Sequence, residues 1–225
     1  MSALDVFVQN KEFFKVVYAL IISLICTFIV LKTHKFFHLS LHQGIRYLRN
    51  AFFFYGLAFF TRYILGAPYF ANSMGILYGN VMDSLFQFFL ATGGFFLLYS
   101  LIWKKVDTKK HFTSLWHTNL LFFYTLAIII TVIDKVWLTY SALFFSQIVV
   151  FLIASIISLF NYFENKKAKF LKFYLVAMIF SLAAWILNAL VAIFLNWNQL
   201  ILISTYLLNI IVFLIFLYGV FKSTK

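Results

Sequence analysis

The sequence predicts an all-α membrane protein: one domain, a seven-transmembrane-helix bundle with its amino terminus outside and its carboxyl terminus in the cytoplasm. Three observations carry that expectation. Of 225 residues, 64% are hydrophobic and 11% charged, more apolar surface than a soluble domain of this size can hide. The apolar residues form seven long stretches without the polar–apolar alternation of a membrane barrel, so helices are the only form that satisfies the backbone in lipid. The basic residues gather in alternate connections, which sets an orientation.

Each stretch is long enough to cross a bilayer as a helix. Span 1 covers 16–31 and is followed by Lys32, Lys35, Arg46 and Arg49. Span 2 covers 49–65, and the connection after it, Gly66 to Asn80, holds the only proline, Pro68. Span 3 covers 82–103 and leads into Lys104, Lys105, Lys109 and Lys110. Spans 4 and 5 cover 115–133 and 137–162, and Lys166, Lys167, Lys169 and Lys172 follow the fifth. Spans 6 and 7 cover 170–195 and 200–221, and the tail carries Lys222 and Lys225. Fourteen of the 18 Lys and Arg residues therefore fall on one side, the expected cytoplasmic face. Lys11, Lys15 and Lys135 fall on the other, with Arg62 buried near it.

Composition excludes several function classes. Seven spans of about 20 residues leave only short loops and two tails, too little for a soluble catalytic or nucleic-acid-binding domain. The net charge of +12 sits at helix ends, where anionic lipids at the cytoplasmic face account for it; no nucleic-acid partner is expected. Cys26, the one cysteine, lies inside the first span, which excludes an intrachain disulfide. Asp5 and Glu12 precede the first span without a basic n-region, so it reads as a permanent anchor. The excess of Phe, Ile, Lys, Asn and Tyr is partly the signature of an AT-rich genome.

The polar residues inside the spans carry the functional expectation. An intramembrane charge is costly enough to need a partner or a purpose. Arg62 falls in the outer third of span 2 and Asp83 at the outer start of span 3, and the two helices share a short connection. Either an ion pair locks these helices, or Arg62 anchors a polar ligand, or it reaches the headgroups. Asp83, Gln87, Ala91 and Gly94 share one face of span 3; Ala177, Ser181, Ala184, Asn188 and Ala192 share one face of span 6. Small residues admit close helix contact and polar ones bond across it, so both stripes are expected to face the interior. Gln147 in span 5 and Asn209 in span 7 complete a candidate ligand-binding set with Arg62, Asp83, Gln87 and Asn188. One outward-facing polar cavity would gather all six; pairwise hydrogen bonds that only fix packing would account for them as well.

Other features point less far. His34, His38 and His42 stand four residues apart after span 1. That spacing suits a metal, but no acidic or thiol ligand accompanies it and Lys35, Arg46 and Arg49 repel a cation, so no metal site is expected; titration at a basic interface is the alternative. The uncharged connection 66–80 reads either as a lid or as an interfacial connector. The entries into spans 2 and 6, Gly44 to Phe52 and Lys169 to Ala177, give a weak sign of an internal repeat. No nucleophile elbow, P-loop, dinucleotide or metalloprotease motif occurs, span 7 lacks the lysine of a retinal protein, and Asp83 is the one carboxylate placed within a span away from the cytoplasm. No enzyme activity and no cofactor are expected.

The stretch Leu39 to Arg62, LSLHQGIRYLRNAFFFYGLAFFTR, resembles a segment of uncharacterised archaeal seven-helix integral membrane proteins. It is more loosely similar to the seven-helix sensory region of prokaryotic histidine kinases. That resemblance implies a sensor-like module, here expected to stand alone and to signal through a separate membrane or cytoplasmic partner protein, because no output domain follows. The layout also resembles that of seven-helix sugar transporters built as three, one and three helices, but the prolines of their first and fifth spans are missing. The expectation is a sensor or receptor-like ligand-binding module, with a small-solute transporter and a structural or accessory subunit as alternatives.

The orientation is testable by labelling in a Cys26→Ser background. Ser73→Cys should react with a membrane-impermeant maleimide on intact cells, and Lys109→Cys only after permeabilisation. The reverse pattern inverts the topology.

Overall fold

The structure, a computed structural model, describes residues 11–40, 43–66, 75–106, 118–137, 139–164, 169–194 and 199–223. Seven helices account for nearly all of them. They are α1 (Lys11–Ser40), α2 (Gln43–Phe60), α3 (Ile76–Val106), α4 (Thr118–Trp137), α5 (Ser141–Glu164), α6 (Lys169–Phe194) and α7 (Gln199–Ser223). Six of them, all but α2, are long and apolar enough to cross a membrane. Helix α2 carries Arg46 and Arg49 in its first turns and runs on into a π-helical turn, Thr61–Leu65, that carries Arg62.

The boundaries differ from the sequence expectation where charge or glycine obscured them. Helix α1 continues nine residues past Leu31, so Lys32 and Lys35 stand on a helix rather than in a loop. Helix α3 begins at Ile76, so the last third of the expected 66–80 connection is helical; Gly75 turns into it with φ +86°. A positive φ of that size strains any residue with a Cβ. The lid expectation for that connection falls mainly on 67–74, outside the described residues, as does His42.

Six helices form a closed ring in the order α1, α2, α3, α5, α6, α7 and back to α1, and α4 packs outside it against α3 and α5. Two runs of three consecutive helices thus face each other around a common centre. The entries singled out as a possible repeat, 44–52 and 169–177, both open the middle helix of a run. The exposed face of α4, with Leu121, Phe122, Ile128, Ile129 and Val132, is mostly apolar, and its one described hydroxyl, Thr125, bonds back to Leu121 O at 2.9 Å.

Aromatic side chains fill much of the ring. Phe52 of α2 meets Phe213 and Phe216 of α7 at 5.9 and 5.0 Å between ring centroids, and Phe59 meets Phe213 at 6.0 Å. Such edge-to-face pairs add to the apolar area that each ring buries. At the basic end of the bundle Tyr47 and Tyr99 pack at 4.6 Å, and the Tyr174 hydroxyl lies 3.0 Å from the Ser100 hydroxyl across the ring. All three tyrosines are buried, which closes this end among the described residues.

Adjacent glycines let α3 fit between two neighbours. A Cβ on Gly93 would meet the Tyr55 ring of α2 at 3.2 Å. One on Gly94 would run into the Gln147 amide of α5, whose Cδ and Nε2 stand 3.0 Å from that position. Gln147 is fully buried there, and neither end of its amide has a hydrogen-bond partner among the described residues.

Gly94→Ala should lower the thermal midpoint, the overpacking costing about 1–3 kcal/mol. Gln147→Ala added to it should recover most of the loss, because it removes the side chain that fills the notch. A double variant no more stable than the single would mean that this contact does not set the α3–α5 distance. Thermal unfolding in detergent measures both.

Candidate ligand-binding cavity

A cavity of about 860 Å³ lies at the centre of the ring. All six ring helices line it and α4 does not. Its upper part reaches the end of the bundle opposite the Tyr47–Tyr99 pair, where Lys15, Gly66, Gly79 and Ile203 contribute. Its floor is formed by Leu97, Phe151 and Phe216. Asp83 at the top and Leu97 at the floor are fourteen residues apart on α3, about 21 Å at 1.5 Å per residue.

Arg62, Asp83, Asn188 and Asn209 all line this cavity. Gln87 and Gln147 do not, and this corrects the expectation that one cavity gathers all six. Gln147 points into the α3–α5 seam at Gly94. Gln87 is buried beside the cavity and donates from Nε2 to Asp83 Oδ2 at 3.2 Å, one turn back on its own helix. The helical period places a residue on a face, but it does not say which of two flanking seams that face enters.

Asp83 has closer partners than the one the sequence suggested. Lys135 Nζ donates to Oδ2 at 2.9 Å and the Tyr140 hydroxyl donates to Oδ1 at 2.7 Å, whereas Arg62 Nη1 stands 4.0 Å from Oδ1. The short, charge-assisted contacts are the stronger ones. Both come from around the α4–α5 turn, so the carboxylate fastens the outlying helix and the start of α5 to the ring. Arg62 instead lies among rings, its guanidinium carbon 4.4, 5.2 and 5.5 Å from the centroids of Phe86, Tyr140 and Tyr63. Partly desolvated cation–π contacts of this kind hold a cation without using its hydrogen-bond donors. Among the described residues the guanidinium makes no hydrogen bond, and its side chain is 29% exposed.

The π turn sets the position of Arg62. The Thr61 hydroxyl folds back to the carbonyl oxygens of Leu57 and Ala58, both at 2.9 Å, a contact that bends a helix. The Gly66 N–H then bonds Thr61 O at 2.8 Å, five residues back. Single π turns inside helices recur at functional sites. A Cβ on Gly66 would stand 2.5 Å from the Arg62 carbonyl oxygen, so glycine is the residue that lets the turn close.

The remaining polar lining is partly satisfied locally. Asn188 Nδ2 donates to Ala184 O at 2.8 Å and Ser181 Oγ to Ala177 O at 2.7 Å, each within α6. Asn209 Nδ2 donates to the Tyr18 hydroxyl at 3.1 Å, and Tyr18 stacks on Tyr206 at 4.4 Å, which joins α1 to α7. The hydroxyl of Tyr55, a cavity-lining residue 4% exposed, has no partner.

Sequence reasoning missed Lys135, Tyr140 and Asp134. Asp134 corrects the view that Asp83 is the one carboxylate of its kind. It is buried, and its two oxygens accept the backbone N–H groups of Ala142 and Leu143 at 2.8 and 2.9 Å, capping α5 from the end of α4. The signal was present as an Asp–Lys pair at the end of an apolar run, directly before the next helix start. His34 Nδ1 accepts from Arg49 Nη1 at 2.9 Å.

No protein-family model, curated protein or solved structure matches the chain. These comparisons show no likeness to sensory or transporter families.

Replacing Asp83 should distinguish its partners. Asp83→Leu should cost about 1–3 kcal/mol by leaving Lys135 and Tyr140 unpaired. Lys135→Met on top should restore part of that stability, and Arg62→Gln on top should restore less. Equal rescue by the two would make Arg62 an ion-pair partner of the same rank. Denaturation of the wild type and the three variants in one detergent decides it.

Proposed function

We propose that this chain is a polytopic membrane protein that crosses the bilayer seven times, and that it works as a sensor-like ligand-binding module with an outward-facing cavity. In this reading α2 and its π turn form the seventh crossing, about 34 Å over 23 residues. The amino terminus lies outside and the basic end meets anionic lipid in the cytoplasm. One observation carries the functional part. The central cavity reaches the Arg62 end, while buried tyrosines close the basic end.

A half-buried guanidinium held by rings, with its donors unused by the described residues, suits recognition of a polar or anionic group. Binding would signal only if the ligand favours one of two packings of the bundle. The α3–α5 seam, where Gly94 meets a buried amide that has no hydrogen-bond partner among the described residues, is the place where this reading puts the exchange of packings. A separate membrane or cytoplasmic partner would read the change. No chemical step is assigned, because the cavity-lining residues offer one carboxylate already engaged by Lys135 and Tyr140.

A small-solute transporter is the second reading. The arrangement of two three-helix runs around a common cavity, with α4 outside, favours it. Alternating access would then require the Tyr47, Tyr99 and Tyr174 cluster to part.

A thermal-shift screen of purified protein against small polar metabolites and ions tests the shared premise. A compound that stabilises the wild type by several degrees, but neither Arg62→Ala nor Asp83→Ala, is the expected result. No stabilising compound, with both variants simply less stable, would make the charged cluster structural and favour an accessory role. Flux into liposomes then separates sensor from transporter.

A further inference from the structure

The cavity has two chemically different halves, and the difference specifies a ligand. At the top, Lys15 and Arg62 line it with one carboxylate, Asp83, which Lys135 approaches at 2.9 Å. Among the described lining residues this end holds two cations and one carboxylate. Below Phe86 the described lining bears no charge. It consists mainly of rings and aliphatic chains, among them Phe52, Leu90, Phe151, Val212 and Phe216. The polar exceptions within the helices are few: Ser181 and Asn188, each bonded within its own helix, Asn209 bonded to the Tyr18 hydroxyl, and the Tyr55 hydroxyl.

A small polar solute would leave most of this volume in contact with nothing it can bond. A neutral hydrocarbon would leave the Arg62 donors unused. From this division we infer that the ligand is an anionic amphiphile. Its carboxylate or phosphate head sits against Arg62 at the top, and its hydrocarbon chain descends between α2, α5, α6 and α7 toward Phe216. This inference rests on the reading of the cavity as a ligand site and names the class of ligand. The geometry suits the chemistry. The guanidinium fork matches a planar or tetrahedral oxyanion, and the depth of about 21 Å along α3 suits an extended chain. Burial of each methylene in such a channel adds favourable free energy in proportion to area, provided the chain leaves water rather than lipid. The head therefore supplies much of the preference for the cavity over the bilayer, and the charge at Arg62 becomes decisive.

Trp185 lines the cavity at mid-depth, packed on Phe144 and Phe151, and provides the readout. The protein is placed in phosphatidylcholine nanodiscs and titrated with stearic acid dibrominated in mid-chain, a contact quencher of indole fluorescence. The expected result is a saturable quenching component that disappears in Trp185→Phe. The brominated alcohol of the same chain should bind at least about tenfold more weakly, a difference of about 1.4 kcal/mol. Acetate and inorganic phosphate should not displace the acid. Arg62→Gln should weaken the acid to the level of the alcohol, and Ala184→Phe, which fills the channel below the head, should weaken both.

Equal affinity of acid and alcohol in the wild-type protein would overturn the inference, whatever the variants do. So would displacement by acetate or phosphate, which would identify a small anion as the ligand and leave the ligand-binding reading standing. Absence of any saturable component also overturns it. Arg62-dependent stabilisation by a small metabolite would then preserve the broader reading, and its absence as well would remove both.

Discussion

Asp83 joins the outlying part of this fold to its ring. A carboxylate at the start of α3 holds Lys135 from α4, Tyr140 from the turn before α5 and Gln87 from its own helix. Each contact is stronger than it would be in water, because the site is partly withdrawn from solvent. Helix α4 lies outside the ring, and its other attachment is the packing of Phe123 and Tyr124 on Phe54, Phe88, Phe95, Phe96 and Tyr99. Asp134 secures the same corner from the other side by capping α5. Two carboxylates thus fix one turn, and that turn places Tyr140 against Asp83 and over the Arg62 guanidinium.

The partition of cations around Asp83 has a consequence for chemistry. Lys135 is flexible and takes the carboxylate directly. Arg62 is held by three rings and a π turn, and it stands at the limit of ion-pair distance. The carboxylate therefore offsets Arg62 electrostatically without occupying its donors. A guanidinium kept partly desolvated in this way is costly in isolation. The aromatic cage lowers that cost while leaving the fork directed at the cavity. Packing elsewhere in the ring produces the space below it. Close contacts at Gly93 and Gly94 draw α3 against α2 and α5, while bulky rings on α2 and α7 meet across the centre near its floor. The result is a channel bounded by rings rather than a filled core.

Much of the fold was legible in one dimension because lipid and helix impose simple periodic demands. Seven apolar runs yielded seven helices, and the stripe Gln87, Ala91, Gly94 is buried as its spacing requires. Ala177, Ser181 and Ala184 are buried in the same way. Helix ends were less legible. Basic residues at 32 and 35 read as a loop, yet a helix can carry them outward without ending. The candidate site was half legible. Arg62, Asp83, Asn188 and Asn209 line one cavity, but Gln87 and Gln147 do not. A position on a helix face specifies a direction only to within the angle between adjacent seams, and Gln147 falls on the wrong side of that angle. Lys135 was assigned to a loop because it adjoins one. Its long side chain reaches an ion-pair partner 52 residues away in the chain, a relation that spacing does not encode.

The sequence by itself determined that this chain is helical, that six of its helices are apolar over lengths matched to a bilayer, and that its basic residues segregate. Those properties follow from composition and local periodicity, because hydrogen bonding within each helix and transfer of side chains out of water are local terms. Only the tertiary structure decided the order of the ring, the exclusion of α4 from it, the partner of Asp83 and the membership of the cavity. These depend on which side chains from distant segments fit together. A notch at Gly94, a π turn closed by Gly66 and a ring placed over a guanidinium have meaning only once their neighbours are in position.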